Sequence, residues 1–216
     1  MLEFNNICVY DLKESVIAAR NAMRLEPAEY TEEEFQQSLE RAKKLVQASK
    51  NSSNVKCHDN FLTGIRVSFD MKYTQYITKQ FQRYHWFDYV SSSSLMHRIV
   101  KMDFTKCCNE YVTRETIENM QKYIKEYNEI LELDKNYDVP VNRDAVYKAF
   151  MKVISNCPMG CELFVRVSTN YKQLQTIYWQ RKNHKLKEDW GNFCKMVEGL
   201  PYSKELILGQ YEEDQK

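Results

Sequence analysis

Ile65-Arg66-Val67-Ser68-Phe69-Asp70-Met71-Lys72-Tyr73-Thr74-Gln75-Tyr76-Ile77-Thr78-Lys79-Gln80-Phe81-Gln82-Arg83-Tyr84-His85 changes its hydrophobic period part-way along. Ile65, Val67, Phe69 and Met71 alternate with Arg66, Ser68 and Asp70, the period of a strand with one buried face. Tyr73, Tyr76, Ile77, Gln80 and Phe81 then recur at three and four residues, which predicts a helix ending near Arg83. An aromatic loop from Tyr84 to Tyr89 follows, and Ser91 to Ser94 read as loop.

Outward from this stretch the chain alternates short strands with long helices. Phe4 to Tyr10 reads as a first strand, and Leu12, Val16, Ala19, Arg20 and Met23 follow at helical spacing. Thr31-Glu32-Glu33-Glu34 is a capping-box pattern in which the Thr hydroxyl and the Glu carboxylate satisfy free amides at a helix start. Phe35, Leu39, Ala42 and Val46 mark one face of the helix behind it, from about Thr31 to Ala48. Ile117, Met120, Ile124, Tyr127 and Leu131 give a second long helix from about Thr113 to Leu133. Asp138-Val139-Pro140 interrupts the pattern, and Ala145, Phe150 and Val153 mark a helix that stops before Pro158. Leu163, Val165 and Val167 alternate as a strand, and Asn170 stands where a helix N-cap belongs. Leu174, Ile177, Tyr178 and Arg181 share a face of the next helix, and Trp190, Phe193, Val197 and Leu200 of the last. No internal repeat and no separating linker is present, so the expectation is a helix-rich α+β protein with residues 1–216 in a single domain.

The 216 residues hold 31 Lys plus Arg against 30 Asp plus Glu, a net charge of +1. No segment collects the basic run that a nucleic-acid polymer or an anionic membrane requires. The apolar stretches are too short to span a bilayer, and the opening Met1-Leu2-Glu3-Phe4-Asn5-Asn6 has neither the positive flank nor the apolar stretch of a signal peptide. The expectation is cytoplasmic residence. Seven cysteines are scattered rather than spaced as a framework, which suits reduced thiols. Cys157-Pro158-Met159-Gly160-Cys161 has no second pair to complete a zinc knuckle. His58, His85, His97 and His184 lie at no helical ligand spacing, so no metal site is expected.

Arg181 falls seven residues after Leu174 and three after Tyr178, which puts a guanidinium on an apolar stripe. Such a cation needs a partner; a phosphate or a pyrimidine imide edge fits its fork as well as a carboxylate does, and a structural ion pair or a snorkelling stem would also serve. Arg83 ends a helix beside Tyr84-His85-Trp86-Phe87, with Gln80 one turn earlier. Arginine among aromatics suits a flavin or base platform, and equally a helix end plugged into the core. Ser91 to Ser94 offer hydroxyls for phosphate or form an ordinary loop. No glycine-rich phosphate loop and no dinucleotide-fold fingerprint appears.

Residues 65–85 resemble the strand and helix that lead into the signature of the flavin-dependent thymidylate synthases. The family's signature begins R-H-R; here Gln80 and Arg83 match the lead-in, while Tyr84 and His85 occupy the other two positions. Ala18-Ala19-Arg20 resembles the family's early A-A-R, and His58-Asp59-Asn60 sits where the family has H-E-T. Ser168 to Lys172, then Leu174 to Arg181, is similar to its N-x-R-S-L segment followed by a helical arginine. The signature glutamate reads as Ser91, its serine as Ser93 and its closing arginine as Leu95, with Arg98 able to replace the last if the loop is longer. The arginine expected before Pro158 reads as Ile154, with Lys152 as a possible replacement.

The resemblance implies a central, mostly antiparallel sheet in a fold like that of the thymidylate synthase-complementing proteins. It implies FAD-dependent reductive methylation of dUMP to dTMP, with methylenetetrahydrofolate and NADPH as co-substrates, in a homotetramer. Arg181 takes the place of the arginine that contacts the pyrimidine and helps ionise its ring. His58, Asn60, Arg83, Tyr84, His85, Asn170, Lys172 and Thr176 would line the flavin. Gln80, Arg83, Ser91, Ser93 and Arg98 would join Arg181 on the nucleotide. The alternative implied by the departures is a non-catalytic or differently specific flavin and pyrimidine-nucleotide-binding paralogue.

Overall fold

The computed structural model describes residues 1–51, 58–136 and 142–210. Its strands are β1 (Glu3–Tyr10), β2 (Arg66–Thr74), β3 (Asp88–Ser92) and β4 (Glu162–Asn170), and its helices are α1 (Leu12–Ala18), α2 (Glu32–Asn51), α3 (Gln75–Phe81), α4 (Leu95–Arg98), α5 (Phe104–Cys107), α6 (Arg114–Asn136), α7 (Arg143–Ser155), α8 (Tyr171–Arg181), α9 (Lys187–Glu198) and α10 (Ser203–Leu206). The sheet runs β1-β2-β4-β3 and is antiparallel. Helix dominates the chain, so the α+β expectation holds.

The alternation read at Ile65 to Met71 is what buries one face of β2: Val67, Phe69 and Met71 are fully buried, while Arg66 faces solvent. The Tyr171 amide bonds the Ile65 carbonyl at 3.0 Å and the Gln75 amide bonds the Cys161 carbonyl at 3.2 Å. These two contacts fix the antiparallel register of β2 against β4. The strand continues through Tyr73 and Thr74, and α3 starts only at Gln75. Tyr73 therefore belongs to the strand rather than to the helix. Its neighbour Thr74 is also buried, so the two-residue period fails at the strand end and periodicity could not place the boundary.

Ser91 and Ser92 lie in β3, not in a loop. β3 is an edge strand whose residues are nearly all exposed, so no apolar alternation announces it. The first helix also differs: α1 ends at Ala18, and a 3₁₀ turn at Asn21–Met23 leaves Met23 exposed. Asp138-Val139-Pro140 falls outside the described residues. The capping signal at Thr31 is realised, because its hydroxyl accepts the Glu34 amide at 3.2 Å at the head of α2.

The chain packs as two compact units, one holding Leu2–Met71, Gln80–Ser91 and the chain from Arg166 onward, the other Lys72–Lys79 and Ser92–Val165. Within the first, Phe81 stacks on Phe87 at 4.7 Å and meets Trp190 at 4.9 Å and Phe193 at 5.9 Å. This aromatic cluster is a large apolar payload that holds α3 against α9. Within the second, Ile99, Phe104, Met120, Val153 and Cys161 form a separate core, with Ile117, Ile124, Tyr127 and Phe150 packed on it. The apolar stripe read along α6 is the face that builds this core. No described helix is long and apolar enough to cross a membrane.

Candidate functional site

α8 owes its position to Asn170. The side-chain oxygen of Asn170 accepts the Gln173 amide at 2.9 Å and closes the first turn, as its place before the apolar stripe predicts. That hydrogen bond occupies the side chain of a residue only 4% exposed. Leu174, Ile177 and Tyr178 then face the core. Burial and a 2.8 Å hydrogen bond to Glu198 push the Tyr178 phenol up to about 12. The opposite face carries Lys172, Gln175, Thr176, Trp179 and Gln180, at spacings of three and one, and lines a cavity of about 530 Å³. Val46 and Ser49 of α2, Asp59, Ile207 and Gly209 complete its wall.

Charge in this cavity is neutralised within it. Lys172 Nζ lies 2.7 Å from both oxygens of Asp59, whose carboxylate is only 1% exposed, and 3.0 Å from the Gln175 side-chain oxygen. The Ser49 hydroxyl is buried and has no hydrogen-bond partner among the described residues. An orphaned hydroxyl on a cavity wall is a group that a polar ligand would satisfy. Trp179 supplies a flat aromatic wall, with the Lys182 ammonium 4.0 Å over its ring.

The end of α8 carries Arg181. Its Nε donates to the Tyr84 hydroxyl at 2.7 Å, and its guanidinium lies over the Trp190 ring at 4.8 Å and the Tyr84 ring at 5.6 Å. The cation on the apolar stripe thus finds aromatic faces rather than a carboxylate. Tyr84 also donates to the Gln180 side-chain oxygen at 3.1 Å, and Trp190 donates its indole N–H to Gln80 at 3.3 Å. Gln80, Trp190, Arg181, Tyr84 and Gln180 form one connected set that fixes the guanidinium plane. Nε is the only Arg181 donor engaged among the described residues, so four N–H groups remain on its outer edge. Arg181 borders a second cavity of about 310 Å³, with Lys182, Asn183, His184, Lys187, Trp190 and Gly191. Burial first, then the charges of Arg181 and Lys185, hold the His184 imidazole below its usual range. His184 Nδ1 accepts the Leu186 amide at 3.1 Å, which suits the neutral ring.

The residues expected at the site are dispersed among different tasks. Lys172 and Thr176 line the larger cavity and Arg181 the smaller; Tyr84 hydrogen-bonds Arg181, and Gln80 hydrogen-bonds Trp190, over whose ring the guanidinium lies. His58 and Asn60 are exposed on either side of the buried Asp59, and Arg83, His85 and Ser91 are exposed. Ser93 and Arg98 belong to the second unit, where the Ser93 hydroxyl accepts the Phe164 amide at 3.1 Å and the Arg98 guanidinium lies 5.6 Å over the Phe164 ring. In the same unit Ile154 packs on the core, and Lys152 pairs with Glu126 at 2.7 Å. Sequence reasoning passed over Asp59, Ser49, Trp179 and Trp190. The polar and aromatic stripe along α8 was a usable signal for Trp179; nothing local marks Asp59, whose partner is 113 residues away.

The chain superposes on two crystal structures of the flavin-dependent thymidylate synthase ThyX from Helicobacter pylori, both solved with FAD and dUMP. One gives a TM-score of 0.60 at 15% identity over 95% of this chain and 97% of that one; the other gives 0.55 at 15% identity over 96% and 97%. The fold is that of the flavin-dependent thymidylate synthases. No family sequence model matches the chain, and no curated protein does.

Proposed function

We propose that this chain binds FAD and a pyrimidine nucleotide, and that it carries out reductive methylation of dUMP to dTMP with methylenetetrahydrofolate and NADPH as co-substrates. The observation that carries the reading is the guanidinium of Arg181, held by Tyr84 and Trp190 with its outer donors turned to a cavity bordered by further cations. A cation fixed in this way, with donors unspent, is preorganised for negative charge on a ligand. Arg181 would accept the charge that develops on the pyrimidine ring, and Tyr84 and Gln80 would keep its plane from turning.

The residues of the 530 Å³ cavity fit a large planar cofactor: an aromatic wall at Trp179, an unsatisfied hydroxyl at Ser49, and a Lys172–Asp59 pair that brings no uncompensated charge. FAD bound there would supply hydride chemistry that no side chain can. Thr176 and Gln180 would orient it from α8, and Val46 and Ile207 would exclude water from one edge. His58 and Asn60 flank Asp59 of this wall, Arg83 and His85 flank Tyr84, which bonds Gln180, and all four would contribute where they are exposed. We take residues 1–216 as one functional domain acting as a cytoplasmic homotetramer.

Two observations favour a second reading, a nucleotide-binding paralogue without turnover. Tyr84 stands at the signature's histidine position and already engages Arg181, and the Ser93 hydroxyl is spent on the Phe164 amide. Titration calorimetry with dUMP, on wild type, Arg181→Ala and Arg181→Lys, tests the binding claim. The expected result is loss of binding in the alanine variant, with unchanged melting; equal affinity in all three would remove Arg181 from the site. Formation of dTMP from dUMP, methylenetetrahydrofolate and NADPH separates enzyme from paralogue.

A further inference from the structure

Four of the seven cysteines meet in the second unit. Cys108 and Cys161 form an isolated antiparallel bridge, and the Asn109 amide bonds the Gly160 carbonyl at 3.0 Å. A Cβ at Gly160 would lie 2.5 Å from Val112 Cγ2 and 2.6 Å from Asn109 Oδ1, so only glycine lets the 107–112 segment lie this close. Cys161 is fully buried, and Cys107, Cys108 and Cys157 pack around it. The pair Cys157-x-x-x-Cys161 thus has the neighbours in space that the sequence alone did not reveal. Its turn is closed by the Cys161 amide on the Pro158 carbonyl at 2.9 Å.

The sulfurs are chemically unequal. Cys161 hydrogen-bonds both Cys107 and Cys157, and these contacts first, then burial, push its own thiol far up. Cys157 is held below the usual thiol range by Cys161 first and then by the Gln75 side chain, whose Nε2 donates to the sulfur at 3.1 Å. Cys107 is lowered by Cys161 and Cys108 but opposed by Asp103, and Cys108 is pushed up to about 12 by burial first and then by Cys107. All four thiols are free. Among the described residues no group of three or more His, Cys, Asp or Glu is arranged to hold a metal ion.

We propose that Cys157 and Cys161 form a reversible oxidation site for hydrogen peroxide, with Cys157 as the attacking sulfur and Cys161 as the resolving one. The Cys157 thiolate attacks one peroxide oxygen; the O–O bond breaks, hydroxide leaves and takes up a proton as water, and Cys157 becomes a sulfenic acid. The Cys161 sulfur then attacks the Cys157 sulfur, forms the S–S bond and expels a second water. The two thiols lose two electrons and two hydrogens in total, and peroxide is reduced to water. Gln75 stabilises the attacking thiolate, and a thiol reductant reverses the change. The proposal is independent of the flavin reading.

Peptide mass mapping of the reduced full-length protein after brief peroxide treatment tests it. Cys157 and Cys161 fall in one tryptic peptide between Lys152 and Arg166, whereas Cys107 and Cys108 fall in another. The expected result is a loss of about 2 Da in the first peptide from its two thiol hydrogens, restored by dithiothreitol, while Cys8 and Cys194 stay alkylatable. In Cys161→Ser the sulfenic acid on Cys157 persists and is trapped by dimedone. Should that variant fail to fold, Gln75→Leu in its place is expected to slow wild-type disulfide formation several-fold. A link between the two peptides, preferential oxidation of Cys8 or Cys194, or one equivalent of zinc retained by the purified protein would each overturn the assignment.

Discussion

Replacing Lys172 by Met keeps the aliphatic stem and removes the ammonium that sits 2.7 Å from both Asp59 oxygens. At that distance two unit charges attract by about 6 kcal/mol if the effective dielectric is about 20, an upper figure that desolvation of both ions largely offsets. The variant does not recover the desolvation of Asp59, which is only 1% exposed and is left as a buried carboxylate without its cation. Breaking such a pair from one side costs about 3–5 kcal/mol; Lys172 is itself 26% exposed, so the lower end, about 3 kcal/mol, applies. In a protein of this size that corresponds to a fall in Tm of about 6–12 °C. Thermal unfolding followed by circular dichroism at fixed protein concentration measures it. The double variant Lys172→Met with Asp59→Leu removes both charges and is expected within about 1 kcal/mol of wild type, because no stranded ion remains. A single variant melting within about 2 °C of wild type, or a double variant less stable than the single, would refute the reasoning.

Asn170→Ala removes the cap of α8 and is expected to cost about 1–2 kcal/mol in chemical denaturation, whereas Asn170→Asp retains most of it. Gly160→Ala forces a methyl into Val112 and Asn109 and is expected to cost about 1–3 kcal/mol; unchanged stability would show that the 107–112 segment yields freely. His184 gives a pH signature. Its folded pKa is depressed, so its contribution is complete above the unfolded value of about 6.5 and is lost as pH falls from there through the folded value. A plot of Tm against pH for wild type should drop below that point more steeply than for His184→Gln, and parallel curves would contradict the assignment.

Much of the fold was legible because its elements obey a single period over several turns. The Phe35, Leu39, Ala42 and Val46 stripe of α2 is buried as read, and so are Val67, Phe69 and Met71 of β2 and Val165 and Val167 of β4. Legibility failed where burial and period part company. Tyr73 and Thr74 are adjacent and both buried, and β3 is exposed along nearly its whole length, so neither a strand end nor an edge strand left a pattern. The site was legible one residue at a time. Arg181 stood out because a cation on an apolar stripe requires an explanation, but that explanation, Tyr84 and Trp190, comes from 97 residues upstream and nine downstream. Asp59 with Lys172, and Cys157 and Cys161 with Cys107 and Cys108, are likewise pairings made only by tertiary packing.

The most direct test is equilibrium titration of the purified full-length protein with FAD, following quenching of flavin and tryptophan fluorescence, then addition of dUMP. The account predicts stoichiometric, saturable FAD binding, weakened by Thr176→Arg in the α8 cavity, and a change in the flavin spectrum on adding dUMP that Arg181→Ala abolishes. A folded protein that retains no FAD through gel filtration, and whose fluorescence does not respond to FAD or dUMP, would contradict it.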